Sequence, residues 1–371
     1  MSRIVIDGRP LFVRGGMQTY VRELLRALCG LDCPHEFVVA VPQVYRGPPE
    51  IALEFIRLAS PKAIWTQTAL PYLAARQHAH LTHATKHVAP ILHQGRLVVT
   101  VPDLMYFTFP QLWRPGEGEY WRLMTRLSVP RADGVIFISE QSRQDGLELG
   151  IVSEERAFAV PLAPAENLRY VEDVEARNAA ARKYGIEGRY ILTIGTLGPK
   201  KNVETIIKAF GVVEQRRKGE LKLAITGRDA GGEAALRQAV VDLRLGDSVV
   251  FTGWVESEDL AALYSGAELF AFAALYEGFG LPPLEAMQCG TPVVTSREGA
   301  LAEIVDGASL TLDDPTDVAE LADKMLEVSN NATLQKRLRA AGLGRAGEYS
   351  WEKTAQGTVR VYDRVLQQAR G

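Results

Sequence analysis

Glu277 and Glu285 stand eight positions apart around Gly278-Phe279-Gly280, and Pro282-Pro283 follow directly. Glycines without a Cβ let a backbone bend and approach a ligand closely, and prolines suit the first turn of a helix. The spacing therefore predicts a helix that opens beyond Gly280, its positive dipole end and unpaired N–H groups forming a diphosphate site. Glu285 falls in the first turn of that helix and Glu277 just ahead of the glycines, so two acceptor-only carboxylates flank one point. Carboxylates of this kind pair with sugar hydroxyls. A sugar nucleotide presents hydroxyls and a diphosphate together. Helix capping alone would explain a generic Gly-x-Gly turn with acids nearby, but the length of this pattern favours a ligand site.

The flanking residues must supply strands that hold the turn. Phe270-Ala271-Phe272-Ala273-Ala274 reads as a buried parallel strand, Gly290 closes the helix, and Pro292-Val293-Val294-Thr295 reads as the next strand. Tyr190 to Gly195, Leu221 to Gly227 and Val249 to Gly253 are further strands of the same half. In the first half Ile4-Val5-Ile6, Phe37 to Val41, Leu97 to Val101 and Gly134 to Ile138 alternate with helical stretches such as Thr19 to Leu28. The layout is doubly wound α/β in two Rossmann-like lobes with a cleft between them. The proline-broken segment from Pro161 to Arg177 is the hinge, which divides the chain into residues 1–168, completed by a last helix at 352–371, and 169–351.

A second turn, Gly195-Thr196-Leu197-Gly198-Pro199-Lys200-Lys201-Asn202, follows a strand and leads into the helix at Val203. A lysine here is a compact charge suited to neutralising a leaving diphosphate, although paired loop lysines also occur simply solvated. No Asp-x-Asp motif ends a strand, and Asp313-Asp314 sits in a polar turn, so no metal and no cofactor are expected.

The 371 residues are 47% hydrophobic and 23% charged, the balance of a globular enzyme of two domains. The formal net charge of -3 gives no basic excess for nucleic acid. Cys29, Cys33 and Cys289 make an odd count that suggests reduced thiols, and no run reaches the ~18 apolar residues of a membrane span. A cytoplasmic protein is the expectation.

On the stretch from Tyr276 to Val294 the chain resembles the retaining glycosyltransferases of family 4, which share a Glu, seven residues, Glu signature on the two-lobed GT-B fold. The resemblance implies that Glu277 contacts the donor sugar, that the backbone of Gly278, Phe279 and Gly280 surrounds sugar and diphosphate, and that Glu285 holds the ribose hydroxyls. It further implies that Lys201 binds the donor phosphates with Thr196 nearby, and that the backbone at Gly253-Trp254-Val255 meets the base. Gly15-Gly16, in the loop after the first strand, would border donor phosphate and acceptor. Family members commonly read His-Asp after the strand Val98 to Val101, but here the histidine position is Pro102. Asp103 is left as the polar candidate near the transferring carbon, or as a cap for the next element. The resemblance also returns the last helix to the first lobe.

From the residues alone, His83 is a candidate acceptor contact in a loop, while His87 reads as incidental. Arginines, aromatics and aliphatics between Leu112 and Leu127 suggest an amphipathic helix, either packed in the core or resting on anionic lipid headgroups at the inner membrane face. The expected function is transfer of a hexose from GDP-mannose or a UDP-sugar to a hydroxyl on a glycan or lipid-linked acceptor, with Glu277, Lys201 and Asp103 as the catalytic set. Alternatives are a sugar-nucleotide epimerase or hydrolase, and a weakened nucleotide-sugar-binding subunit, which Pro102 favours.

Overall fold

A computed structural model describes every residue except 46, 62–63, 218 and 369–371. The chain forms two units, Met1–Leu162 with the segment from Ser350 onward, and Ala163–Tyr349.

The first unit is built on a parallel sheet of β1 (Ser2–Asp7), β2 (His35–Val41), β3 (Glu54–Arg57), β4 (Leu81–Ala84), β5 (Arg96–Val101), β6 (Gly134–Phe137) and β7 (Ala157–Ala159), in the order β3-β2-β1-β4-β5-β6-β7. Ile4, Val5, Ile6, Val38, Val39, Leu97, Val98 and Val99 are fully buried, as strands covered on both faces require. The strand order reverses between β1 and β4.

The second unit repeats the plan with β8 (Arg189–Ile194), β9 (Leu221–Thr226), β10 (Val249–Gly253), β11 (Leu269–Phe272), β12 (Val293–Thr295) and β13 (Leu310–Thr311), in the parallel order β10-β9-β8-β11-β12-β13. Here the reversal falls between β8 and β11. Open α/β sheets take ligands beyond the carboxyl ends of their strands at such reversals, because the loops on either side diverge and leave a crevice.

Three features differ from the sequence reading. Strands β3, β4, β7 and β13 lack the long apolar run that marked the others. The observed division falls after Leu162 rather than after 168, because Gln288 Nε2 donates to the carbonyls of Ala165 (3.3 Å) and Leu168, and Asn167 Nδ2 donates to Ser257 O (3.3 Å). The last helix is Trp351–Gln367, and the expected extension through 369–371 lies outside the described residues.

That last helix packs in the first unit. Val361, Tyr362 and Val365 are buried, and Val365 sits so close to Gly134 that a Cβ there would lie 2.8 Å from its Cγ2. Thr354 Oγ1 donates to Pro161 O at 2.7 Å.

Candidate active site

Lys201 and Glu277 meet at the reversal point of the second sheet. After β8 the backbone turns at Gly195 and forms the 3-10 turn Pro199–Lys201. The lysine stem crosses Gly195, where a Cβ would stand 3.3 Å from its methylenes. The ammonium donates to Glu277 Oε1 and lies 4.8 Å from the centre of the Phe272 ring. Both side chains are largely buried, 16% and 11% exposed.

Backbone links hold this pair in place. Asn202 adopts the left-handed conformation (φ 51°), and its Nδ2 donates to Ala273 O (3.1 Å) and Pro315 O (2.8 Å). Leu275 N donates to Lys200 O at 2.9 Å, so the loops after β8 and β11 are joined directly. On the other side Ala300 N donates to Glu277 O at 2.8 Å. Gly299, at φ 65°, permits that contact, since its Cβ would lie 2.3 Å from the same oxygen.

The helix that follows is Leu281–Gln288, opened by Gly280 at φ 106°. Two of its first three residues are prolines without an N–H, so its start carries fewer donors than a helix end ordinarily has. The donors present are the N–H groups of Phe279, Gly280 and Leu281, which have no hydrogen-bond partner among the described residues. Glu285 is the fifth helical residue, just past the first turn expected for it. Its Oε2 accepts from the Tyr264 hydroxyl at 3.0 Å. Burial raises its carboxyl above the usual range, opposed by the Tyr264 hydrogen bond and the charge of Lys201.

Gly195, Gly227 and Gly253 step side by side across the ends of β8, β9 and β10. Gly195 N donates to Thr226 O (3.0 Å) and Gly227 N to Gly253 O (2.9 Å). A Cβ on Gly227 would lie 1.8 Å from Gly195 O. Thr196 is exposed beside this row, and Val255, beyond Gly253, is buried.

Two family models match the chain, "Glycosyl transferases group 1" over residues 177–345 and "Glycosyltransferase Family 4" over 14–162. The O-antigen chain mannosyltransferase B of Escherichia coli is 30% identical over 277 residues, 72% of this chain and 70% of that protein. The chain belongs to glycosyltransferase family 4. The serotype-specific mannosyltransferase WbdA of E. coli is also 30% identical, over 64% of this chain but only 29% of WbdA, so the chain spans under a third of that relative's length. The crystal structure of Anabaena HepE in complex with UDP and glucose matches with a TM-score of 0.74 at 16% identity, over 98% of this chain and 100% of that one, a likeness of fold. The family-4 chain thus has the GT-B pair of Rossmann-like units.

In the first unit of this family-4 chain the expected residues separate. His83 lies in β4 rather than in a loop, fully buried, with Nδ1 2.7 Å from the Tyr362 hydroxyl and Nε2 2.8 Å from Thr100 Oγ1. Both ring nitrogens are taken within the core, which corrects its reading as an acceptor contact. Asp103 Oδ1 accepts from Met105 N at 3.2 Å, one position ahead of Leu104, the N-cap of the short helix Met105–Thr108. Gly15 and Gly16 are exposed at the start of the helix Gly16–Cys29.

Sequence reasoning missed residues in both units. At the β1/β4 reversal the Asp7 carboxylate is fully buried and accepts from Trp65 Nε1 (3.1 Å) and Arg9 N (2.9 Å). Nearby Lys86 is lowered from the usual lysine range by burial and by the charge of Arg9, with Asp103 and Asp7 pulling the other way. An acid directly after an apolar strand was the available signal for Asp7. Asn202 and Tyr264 were missed because their partners lie far along the chain.

Proposed function

We propose that this chain is a retaining glycosyltransferase that moves a hexose from a nucleoside diphosphate sugar to a hydroxyl acceptor in surface glycan assembly. The observation that carries the reading is the Lys201 ammonium held against Glu277 at the β8/β11 reversal, beside the N–H groups of Phe279, Gly280 and Leu281. In this reading the lysine and the helix end receive the diphosphate, Glu277 the sugar hydroxyls and Glu285 the ribose. The C1–O(phosphate) bond breaks as the acceptor oxygen bonds to C1 on the same face, and the acceptor proton passes to a donor phosphate oxygen. The protein's main task is then to stabilise negative charge on the leaving group, which Lys201 does without a divalent ion. The names of the mannosyltransferase relatives support mannose as the transferred hexose, with GDP-mannose as the donor in this reading, and the UDP and glucose in the HepE structure support a UDP-sugar. Asp103, beside Asp7 and Lys86, faces the acceptor side of the reaction in this account.

The test is incubation of the chain with a panel of nucleotide sugars and glycan acceptors in the presence of EDTA, with the anomeric configuration of the product read by NMR. Retained configuration in a transferred sugar supports the proposal. Donor hydrolysis or epimerisation without transfer sinks it.

Membrane contact is part of the same proposal. No described helix is long and apolar enough to cross a membrane. The helix Glu117–Ser128 nonetheless exposes Tyr120, Leu123 and Leu127 along one stripe with exposed Arg126. Arg122 is engaged instead by Glu119 and the Tyr106 carbonyl. Apolar side chains flanked by a cation suit the headgroup boundary of an anionic bilayer, where a lipid-linked acceptor would reside. Sedimentation with anionic liposomes should fall for Leu123→Glu/Leu127→Glu, and equal sedimentation of variant and parent counts against the contact.

A further inference from the structure

We infer that Tyr264 is a positioning residue of the donor site: its hydroxyl fixes one oxygen of Glu285 so that the other is left for a nucleotide ribose. The inference deepens the proposed function and rests on that reading of Glu285. Tyr264 lies in the helix Ser257–Gly266 and is fully buried, with its hydroxyl 3.0 Å from Glu285 Oε2. Its helix is tied to the end of the Glu285 helix at two further points. Thr291 Oγ1 donates to Tyr264 O at 2.6 Å, and Ser265 Oγ donates to Cys289 O at 3.3 Å.

The ring is also fixed. Tyr264 packs on Phe270 with centroids 5.6 Å apart, Phe270 stacks on Phe272 at 5.8 Å, and Phe272 lies under the Lys201 ammonium. A continuous aromatic row beneath β11 thus connects the two groups assigned to ribose and diphosphate. Glu285, unlike Tyr264, is partly exposed, and the oxygen bonded to Tyr264 is Oε2.

The groups that bear on the Glu285 charge are Tyr264, Lys201 and Cys289. Burial raises its carboxyl, and the Tyr264 hydrogen bond is the first force that lowers it again. Ribose hydroxyls donate to the ionised carboxylate, so nucleotide affinity falls as pH drops through the Glu285 titration. Removing the hydroxyl removes a stabilising partner of the charged form. The acidic fall in affinity then begins at higher pH.

The experiment is calorimetric titration of UDP and GDP into the full chain at a series of pH values from acidic to neutral. Parent, Tyr264→Phe, Phe270→Leu and Glu285→Gln are compared, with kcat and KM measured alongside. We expect Tyr264→Phe to bind the preferred nucleotide about tenfold more weakly at neutral pH, consistent with a lost hydrogen bond to a charged group. Its KM rises by a similar factor, kcat changes little, and the acidic fall moves upward in pH. Phe270→Leu loses stability but keeps the parental pH profile. Glu285→Gln keeps only the fall set by protonation of the nucleotide's own terminal phosphate, at about pH 6 and common to all four proteins. A parental pH profile for Tyr264→Phe, an equal shift for Phe270→Leu, or a parental pH profile for Glu285→Gln overturns the positioning role while leaving nucleotide binding intact. A parent chain that binds neither nucleotide overturns the donor-site reading, and this inference with it.

Discussion

Breaking the Lys201–Glu277 pair should separate stability from turnover. Lys201→Met leaves the Glu277 carboxylate, only 11% exposed, without this ammonium, and Glu277→Gln takes the directly paired carboxylate from the lysine, 16% exposed. Losing one partner of a fully buried pair costs ~3–5 kcal/mol, and the residual exposure here reduces that to about 2 kcal/mol for each single variant. The double variant Lys201→Met/Glu277→Gln leaves neither member of the pair alone and only withdraws the lysine's charge from Glu285, so its stability returns to within about 1 kcal/mol of the parent. Turnover should follow a different pattern. Lys201 is assigned to the leaving diphosphate, and removing one preorganised cation costs roughly 3 kcal/mol of transition-state stabilisation, ~100-fold in kcat. The double variant should therefore be as stable as the parent yet as inactive as Lys201→Met. Urea unfolding and steady-state kinetics on the four proteins make the comparison. Single variants as stable as the parent, or a double variant whose losses simply add, would refute the coupling. A double variant that keeps its activity would refute the role of the lysine.

Other outcomes follow from the same geometry. Because burial raises the Glu285 carboxyl in the folded chain, the native state binds more protons than the unfolded chain between the two titrations, and stability falls as pH rises through that window. Glu285→Gln should thus stabilise the ligand-free chain at neutral pH, an advantage that disappears in acid, and thermal melts at both pH values check it. Burial pushes His83 down to about 3, so its neutral form is the folded one and stability is lost as pH falls from the ordinary histidine range of about 6.5 toward 3. His83→Ala should cost about 3 kcal/mol through its cavity and the Tyr362 hydroxyl it strands, while Thr100 Oγ1 keeps the Tyr20 hydroxyl at 2.9 Å, without raising the acceptor KM; an unchanged melt with a raised KM would restore it to the acceptor site. Gly299→Ala, forced into contact with the Glu277 carbonyl, should weaken donor binding, and a parental dissociation constant would show that this loop does not set the Glu277 position.

The parts of the fold that were legible in the sequence were those written locally. The apolar runs that became β1, β2, β5, β6 and β8–β12 are contiguous, and the Glu277–Glu285 turn carries its glycines and prolines in order. Strand β4 was not legible because Leu81-Thr82-His83-Ala84 is short and half polar. The imidazole of His83 is satisfied in the core by Thr100 and Tyr362, which lie 17 and 279 positions away. A separation of 21 positions, on a different helix, hid Tyr264 from Glu285. The proline pair had the opposite effect: it correctly marked the helix start while removing donors that the helix end had been expected to offer.

The most direct measurement is a crystal structure of the chain soaked with its preferred nucleoside diphosphate sugar. The account predicts diphosphate oxygens within hydrogen-bond distance of Lys201 Nζ and the N–H groups of Phe279 to Leu281, and ribose hydroxyls on Glu285. A donor bound away from the β8/β11 reversal, with Lys201 still paired to Glu277 and Glu285 remote from any ribose, would contradict it.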